Sequence, residues 1–472
     1  MRSGRSYAPD RTAAPPPGEA RPFRFPAHLR HRLASGLTVL AARHTRAPLV
    51  SLKLIFPAGA QHAAPLRAGL ATFTGTLLDE GTAGLTALEI ATSIERLGGQ
   101  LSTNAGWDHA WVSAELESRH AAAGLALIAE VATTPSFPEA EVARLRRQRL
   151  VEVLRWRVDP SLLAQDRFSR AVYGDTAYAY PLIGTEESLA ALDRAAVEGF
   201  YRRHYTLAGA FAVAVGDLDP ERLIGEIEAR LGGGDERLPP PPAPEIQPVA
   251  RDGVEIHLVD RPGAAQTELV VGHAGVPQPH PDFLALQVMN SILGGKFTSR
   301  INLSLRERHG FTYGAQSQFS RRLGPGPFQV SAAVGSPVAG AAAAEVLAEL
   351  ARIRQEPVAA DELADTHSYL IGVFPYSLQT VSGLAHCLDG LAVFGLAPDY
   401  YDRFPEAVRA VDAERVLEVA RRHLHPEGLV VVAVGPAAEL APQFAALGRV
   451  EVWAEGCPHP LASKLASTRG GR

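Results

Sequence analysis

The sequence predicts an α+β protein of two homologous domains in tandem, each a mostly antiparallel sheet with helices packed on one face. Three observations predict it. At 472 residues the chain exceeds what one hydrophobic core ordinarily serves. Two stretches, "YRRHYTLAGAFAVAVG" and "ARRHLHPEGLVVVAVG", repeat at one spacing: Arg202-Arg203-His204 and Arg421-Arg422-His423 lie 219 residues apart, as do Gly216 and Gly435. A period of that length is a domain duplication, not a solenoid of short repeats. Between the copies, "ERLPPPPAPEIQPVARDG" carries four consecutive prolines, which cannot continue a helix or a central strand and favour a stiff, extended spacer. The expected boundaries are a disordered tail over 1–26, a first domain over 27–235, a linker over 236–252, a second domain over 253–457 and a tail over 458–472.

The elements follow in order. The opening "MRSGRSYAPDRTAAPPPGEARPFRFP" is rich in Pro, Arg and Ala and lacks the apolar stretch of a secretory signal, so it reads as disordered. "VSLKLIFPAGAQ" (Val50 to Gln61) and its counterpart "TELVVGHAGVPQ" (Thr267 to Gln278) are apolar strands running into a glycine turn. "LRAGLATFTGTLLDEGT" (Leu66 to Thr82) reads as a helix of small residues ending at Gly81, with Thr72, Gly75 and Thr76 turned inward. "LSTNAGWDHAWVSAEL" alternates as a half-buried strand pair turning near Gly106-Trp107-Asp108. "EAEVARLRRQRLVEVLRWRV" sets Val142, Leu145, Leu150, Val153 and Leu154 at helical spacing, with arginines on the other face. An Arg-Arg-His helix end and a valine-rich strand close each half. Strands joined by helices that share one side of the sheet make the class α+β.

Composition narrows the function classes. A net charge of −5 gives no basic excess, so nucleic acid and anionic membrane are not expected partners. No window approaches the roughly 18 continuous apolar residues of a membrane helix, and the cytoplasm is the expected compartment. Cys387 and Cys457 are far apart and build neither a zinc site nor a disulfide framework. His28 and His31 have only His-x-x-His spacing beside the tail and are not expected to be ligands.

Several patches, in the correct order, resemble the insulinase-like (pitrilysin) zinc peptidase family in its short two-domain bacterial form. "AGLATFTGTLLDEGT" is similar to that family's zinc helix, Gly-Leu-Ala-His-x-x-Glu-His-x-x-x-x-Gly-Thr. "ERLGGQLSTNAGWDHAW", "PLIGTEESL" and "LGGKFTSRINLSLRERHGFTY" resemble later segments, and the likeness covers residues 27 to about 455. It implies a chain that forms half of a clamshell. At the zinc helix the sequence departs from the pattern. Zinc chemistry needs two imidazoles one helical turn apart with a carboxylate between them as general base. Here Thr72 stands for the first His, Gly75 for the Glu and Thr76 for the second His. Threonine hydroxyls are poor zinc ligands and glycine accepts no proton. Glu152 matches the family's third ligand, but one carboxylate cannot make a catalytic site, and its plain reading is a surface or salt-bridged glutamate. The expectation is no catalytic residue, no metal ligand and no cofactor in this chain.

The second half retains more. In "LRERHGFTYG", Arg306 and Tyr313 keep the spacing of a pair that the family uses on substrate. The helix is expected to end at His309-Gly310, so the pair spans a helix end and a strand start. A guanidinium fork and a phenol can both donate to peptide carbonyls. Without the resemblance, Arg306 would read as a helix cap and Tyr313 as sheet packing. Gly294-Gly295 suits a close backbone approach or a tight turn. Arg300, Arg306, Arg308, Arg321 and Arg322 read as a solvated basic face. The resemblance therefore implies a non-catalytic, substrate-binding subunit: its partner would be an insulinase-like chain with an intact His-x-x-Glu-His and the zinc, and the substrate a peptide. The alternatives are a scaffold protein of the same fold, or a homodimer that binds peptides by itself.

Overall fold

A computed structural model describes residues 24–233 and 239–454; most of the expected N-terminal tail and all of the expected C-terminal tail lie outside the described residues. The first half runs β1 (His28–Arg32), β2 (Thr38–Arg43), β3 (Leu49–Phe56), α1 (Leu70–Thr76), α2 (Ala87–Arg96), β4 (Gln100–Ala105), β5 (Ala110–Glu117), α3 (Ala121–Thr133), α4 (Glu139–Trp156), α5 (Pro160–Tyr173), α6 (Glu186–Ala190), α7 (Arg194–His204), β6 (Phe211–Gly216) and α8 (Pro220–Leu231). The second runs β7 (Glu255–Asp260), β8 (Gln266–Ala274), α9 (Phe283–Asn290), α10 (Arg300–Asn302), β9 (Ala315–Phe319), β10 (Pro327–Gly335), α11 (Ala339–Gln355), α12 (Ala360–Ser377), α13 (Val381–Val393), α14 (Tyr400–Arg409), α15 (Ala413–His423), β11 (Val430–Gly435), α16 (Ala437–Phe444) and β12 (Arg449–Ala454).

The duplication is visible in the sheets. The first has the order β1-β2-β6-β3-β5-β4 and the second β12-β7-β11-β8-β10-β9, so five strands correspond and only the outermost differs. The pairing is antiparallel except for β2–β6, β7–β11 and β7–β12. On its inner face the first sheet packs Val50, Leu52, Leu54 and Val112 against α1, α3 and α7. The second does the same with Ile256, Leu269, Val271 and Val330 against α9, α11 and α15. Each sheet's second face is covered by a helix of the other half. Helix α5 lays Leu163, Ala164 and Phe168 on Val270, Val430 and Val432, and α13 lays Leu384 and Leu388 on Leu40, Val213 and Val215. Each such leucine, fully buried, contributes roughly 1.5–3 kcal/mol. Polar ties accompany the exchange: Lys53 Nζ meets Asp389 Oδ2 at 2.6 Å. The Asp108 carboxylate accepts from Tyr178 Oη at 2.6 Å and from the Leu323 amide at 3.0 Å.

Several local expectations change. The zinc-helix segment is helical only over Leu70–Thr76, because Gly69 takes a left-handed φ of +84° and Pro65–Arg67 form a separate 3-10 turn. Residues Arg24 to Pro26 are not tail. Phe25 is buried, stacks on Tyr401 with ring centroids 5.0 Å apart, and its amide donates to Asp402 Oδ1 at 3.0 Å. The linker carries neither helix nor strand over 239–252, and it is a strap rather than a free spacer: Ile246 is buried among Tyr178 and Phe168, and the Val249 amide donates to the Val172 carbonyl at 2.9 Å. On α4, Leu154 points outward and is exposed, while Val142 and Val153 are buried as the periodicity requires. The turn of the β4–β5 pair closes where expected, with the Gly106 amide on the His109 carbonyl at 2.8 Å.

Candidate functional site

The resemblance would put a hydrolytic metal on helix α1, so its polar atoms are taken first. Thr72 is buried and directs its hydroxyl at the carbonyls of Gly69, at 3.0 Å, and Leu182. Thr76 donates to the Phe73 carbonyl at 3.1 Å. Both hydroxyls serve the backbone, as threonine commonly does inside a helix. Gly75 is pressed against β4: a Cβ there would lie 2.7 Å from the Asn104 carbonyl carbon and 2.9 Å from the Ala105 nitrogen. Those are backbone atoms, so no side chain fits without moving the strand.

The remaining ligand position is held by a different cation. Arg149, one turn before Glu152 on α4, places Nη1 3.2 Å from Glu152 Oε2 and Nη2 3.5 Å from Thr76 Oγ1. A guanidinium therefore bridges the residues that stand for the second histidine and the third ligand. A dication within reach of it would meet a repulsion of about several kcal/mol even at an effective dielectric near 20. The residues present do not fit zinc. Sequence reasoning placed the arginines of α4 on the face opposite its apolar residues and did not single out Arg149; its i, i+3 spacing to Glu152 was the available signal. Glu152 is salt-bridged, the plain reading given above.

Among the described residues, one group of three His, Asp, Glu or Cys side chains comes close enough for a metal ion: His280, Asp282 and His423 in the second half. Its carboxylate is already committed. Asp282 accepts from His423 Nε2 at 2.7 Å, from Arg422 Nη1 at 3.0 Å and from Arg415. Burial opposes its ionisation, but these three donors outweigh it and hold the carboxyl near 2. The cluster ties the loop before α9 to α15. His28 and His31 lie three apart on β1, hence on opposite faces, and cannot chelate together. Cys387 is buried and free, and Cys457 lies outside the described residues.

The second half carries an open groove of roughly 600 Å³ between α5, β8–β10 and the segment 294–314. Ser291–Gly295 and Leu303–Arg308 are π-helical turns, and Gly310, with φ +64°, ends the second. Gly294 answers to close approach rather than turn geometry, since a Cβ would sit 2.4 Å from Ser317 Oγ and 2.8 Å from the Ser317 amide. Tyr313 lies between that helix end and β9; it lines the groove and is 92% exposed, so it does not pack in the sheet. Arg306 does not line the groove. Its guanidinium stacks over the Phe297 ring at 4.6 Å and pairs with Glu307 at 3.4 Å, and Phe297 is a wall residue. Lys296, Glu268, Gln165 and Tyr369 add polar groups that sequence reasoning did not single out. Lys296 donates to Thr366 Oγ1 at 2.9 Å, and burial lowers its pKa. Burial, with Asp159 nearby, raises that of Glu268.

The solvated basic face does not form as a unit. Arg322 is buried between the rings of Trp107 and Tyr178, at 4.1 and 4.5 Å, and belongs to the contact between the halves. Arg300 is clamped by both carboxylate oxygens of Glu362, at 2.8 and 2.5 Å. These two positions face aromatic and acidic partners supplied by distant parts of the chain, which local charge counting cannot foresee.

Comparison with known proteins identifies the family and the fold. Residues 38–186 match the family model described as insulinase (peptidase family M16), and residues 191–369 match the one described as peptidase M16 inactive domain. The chain is 23% identical over 421 residues to the uncharacterized zinc protease YmxG of Bacillus subtilis, covering 87% of this chain and 99% of that one. It is 25% identical over 278 residues to the uncharacterized zinc protease SCO5738 of Streptomyces coelicolor, over 58% of this chain and 60% of that one. Among solved structures it is similar to a peptidase M16 inactive domain from Pseudomonas fluorescens, with a TM-score of 0.80, 27% identity, and 87% and 98% of the two chains covered. It also shares its fold with a protease from Helicobacter pylori, with a TM-score of 0.82 at 19% identity and 87% and 100% coverage. No helix of the described residues is long and apolar enough to cross a membrane.

Proposed function

This chain belongs to the insulinase-like (M16) peptidase family, and from that premise we propose that it is the non-catalytic, substrate-binding subunit of a two-chain zinc peptidase. Its partner would be an insulinase-like chain that carries the intact His-x-x-Glu-His and the zinc. This chain contributes the other wall of the chamber and offers Tyr313 and Arg306 to a peptide. The observation that carries the reading is the contrast between its two halves: α1 is closed to metal by Gly75 and Arg149, whereas Tyr313 stands almost fully exposed at the rim of an open groove.

The roles follow from the side chains. The Tyr313 phenol, free of packing, can donate to a peptide carbonyl, and such a donor accelerates cleavage when it bonds the developing oxyanion more strongly than the bound substrate. Arg306 reaches the peptide by leaving the Phe297 ring, a cation–π contact of about 0.5–1 kcal/mol at an exposed site. A charged hydrogen bond is worth roughly 1.5–3 kcal/mol, so removing Arg306 lowers turnover about tenfold to a hundredfold. The test is co-purification with a His-x-x-Glu-His chain, followed by peptide cleavage assays on complexes holding Tyr313→Phe or Arg306→Ala. Turnover unchanged in both variants refutes the substrate role, and failure to find any catalytic partner favours the scaffold reading.

A further inference from the structure

The duplication provides an internal control that singles out a second site, in the first half. In each half a histidine ahead of the first helix packs its ring against the last residue of the Arg-Arg-His helix, edge-on in the second half and tilted in the first. The His280–His423 ring centroids are 5.1 Å apart and those of His62–His204 are 4.8 Å apart. In the second half the Asp282 carboxylate sits within this frame and bonds Arg415, Arg422 and His423, and Arg422 also pairs with Glu418. At the same spacing the first half has Ala196 for Arg415, Gly199 for Glu418 and Arg203 for Arg422. Its loop, "AQHAAPLRA" over 60–68, contains no acid. The frame remains while both carboxylates are gone.

What remains is a cleft of roughly 520 Å³ lined by His62, His204, Arg67, Arg203 and Gly199, with Pro241 and its neighbours in the strap forming one wall. Among the described residues no carboxylate pairs with either arginine. His204 is buried and its Nδ1 has no hydrogen-bond partner, an unusual state for a buried polar atom. Burial holds both imidazoles neutral near 4, helped at His62 by Arg203 and at His204 by His62 and then Arg203, so each offers one N–H. We propose that this cleft binds an oxyanion, a carboxylate or phosphate group of a small ligand, which takes the place that Asp282 fills in the second half. Arg203 and Arg67 supply the charge and the histidine pair supplies neutral donors. The site concerns this chain alone and does not depend on the heterodimer reading.

The test is calorimetric titration of the full chain with sodium phosphate and, separately, with N-acetyl-glutamate, at constant ionic strength. Saturable binding at one site per chain by at least one probe is expected; phosphate alone identifies a phosphate ligand, and N-acetyl-glutamate identifies a carboxylate. Gly199→Glu places a carboxylate one turn before Arg203, copying the Glu418–Arg422 pair, in space where a Cβ meets nothing within 4 Å. It weakens binding at least about tenfold, as does Arg203→Gln on an exposed side chain that keeps the test open should the first variant misfold. Binding by neither probe, or binding that the folded variants leave intact, overturns the proposal.

Discussion

Gly75→Ala inserts one methyl group where the backbone of β4 leaves no room. Inside a helix the exchange is favourable by about 1 kcal/mol, since alanine loses less backbone entropy on folding than glycine. Against that gain stand two contacts of the new Cβ, 2.7 Å to the Asn104 carbonyl carbon and 2.9 Å to the Ala105 nitrogen. Over-packing of this kind costs roughly 1–3 kcal/mol, and the upper end applies because strand backbone cannot step aside as a side chain does. The net expectation is a loss of about 1–2 kcal/mol, read as a lower urea midpoint at unchanged slope for the transition of the first half. Gly75→Glu adds four further heavy atoms, three of them a carboxylate, to the same gap and loses more. The triple variant T72H/G75E/T76H, which restores the letters of the zinc motif, is therefore expected to take up zinc only substoichiometrically and to cleave no peptide, with Arg149 still in the metal's place. A neutral or stabilising Gly75→Ala, or a triple variant that binds about one zinc per chain tightly, would refute the packing argument.

Three other outcomes are expected. Lys53→Met strands the buried Asp389 carboxylate, whose pKa burial already raises, and costs about 3 kcal/mol; adding Asp389→Leu recovers most of it, as a double-mutant cycle by urea unfolding would report. His109, His257 and His273 are held near 4, below the unfolded value of about 6.5, chiefly by burial. The unfolded chain thus binds more protons between those values, so their stabilisation is complete above pH 6.5 and fades as pH falls to 4; His273→Leu should reduce the slope in that window by about one proton. Tyr313→Phe leaves the unfolding free energy within about 0.5 kcal/mol, because the ring is 92% exposed and no packing is lost; a larger drop measured in urea would mean that the phenol holds the fold.

Much of the architecture is legible in the amino-acid order. The repeat of Arg-Arg-His and Val-Ala-Val-Gly announces two copies, and these become α7 with β6 and α15 with β11. The alternation over 101–116 becomes β4 and β5 with their turn at the residues expected. Thr72, Gly75 and Thr76 already exclude a working zinc helix, because ligand chemistry is a property of residue type. Less was legible where a residue's partner is remote in sequence. Phe25 reads as tail until Tyr401 stacks on it, Arg322 reads as solvated until Trp107 and Tyr178 enclose it, and the proline strap reads as a spacer until Ile246 finds its pocket.

By itself the sequence determined that this chain holds two copies of one α+β unit and carries Thr72, Gly75 and Thr76 where the family's zinc motif has His, Glu and His. Only the tertiary structure decided that the vacated helix is sealed by the close approach of β4 at Gly75 and by Arg149, and that each half lends a helix to cover the other's sheet. The physical reason is range. Residue chemistry and periodicity act within a few positions of the chain, whereas a steric gap of 2.7 Å between α1 and β4, or the 3.5 Å reach of Arg149 on α4 to Thr76 on α1, exists only once distant segments have packed.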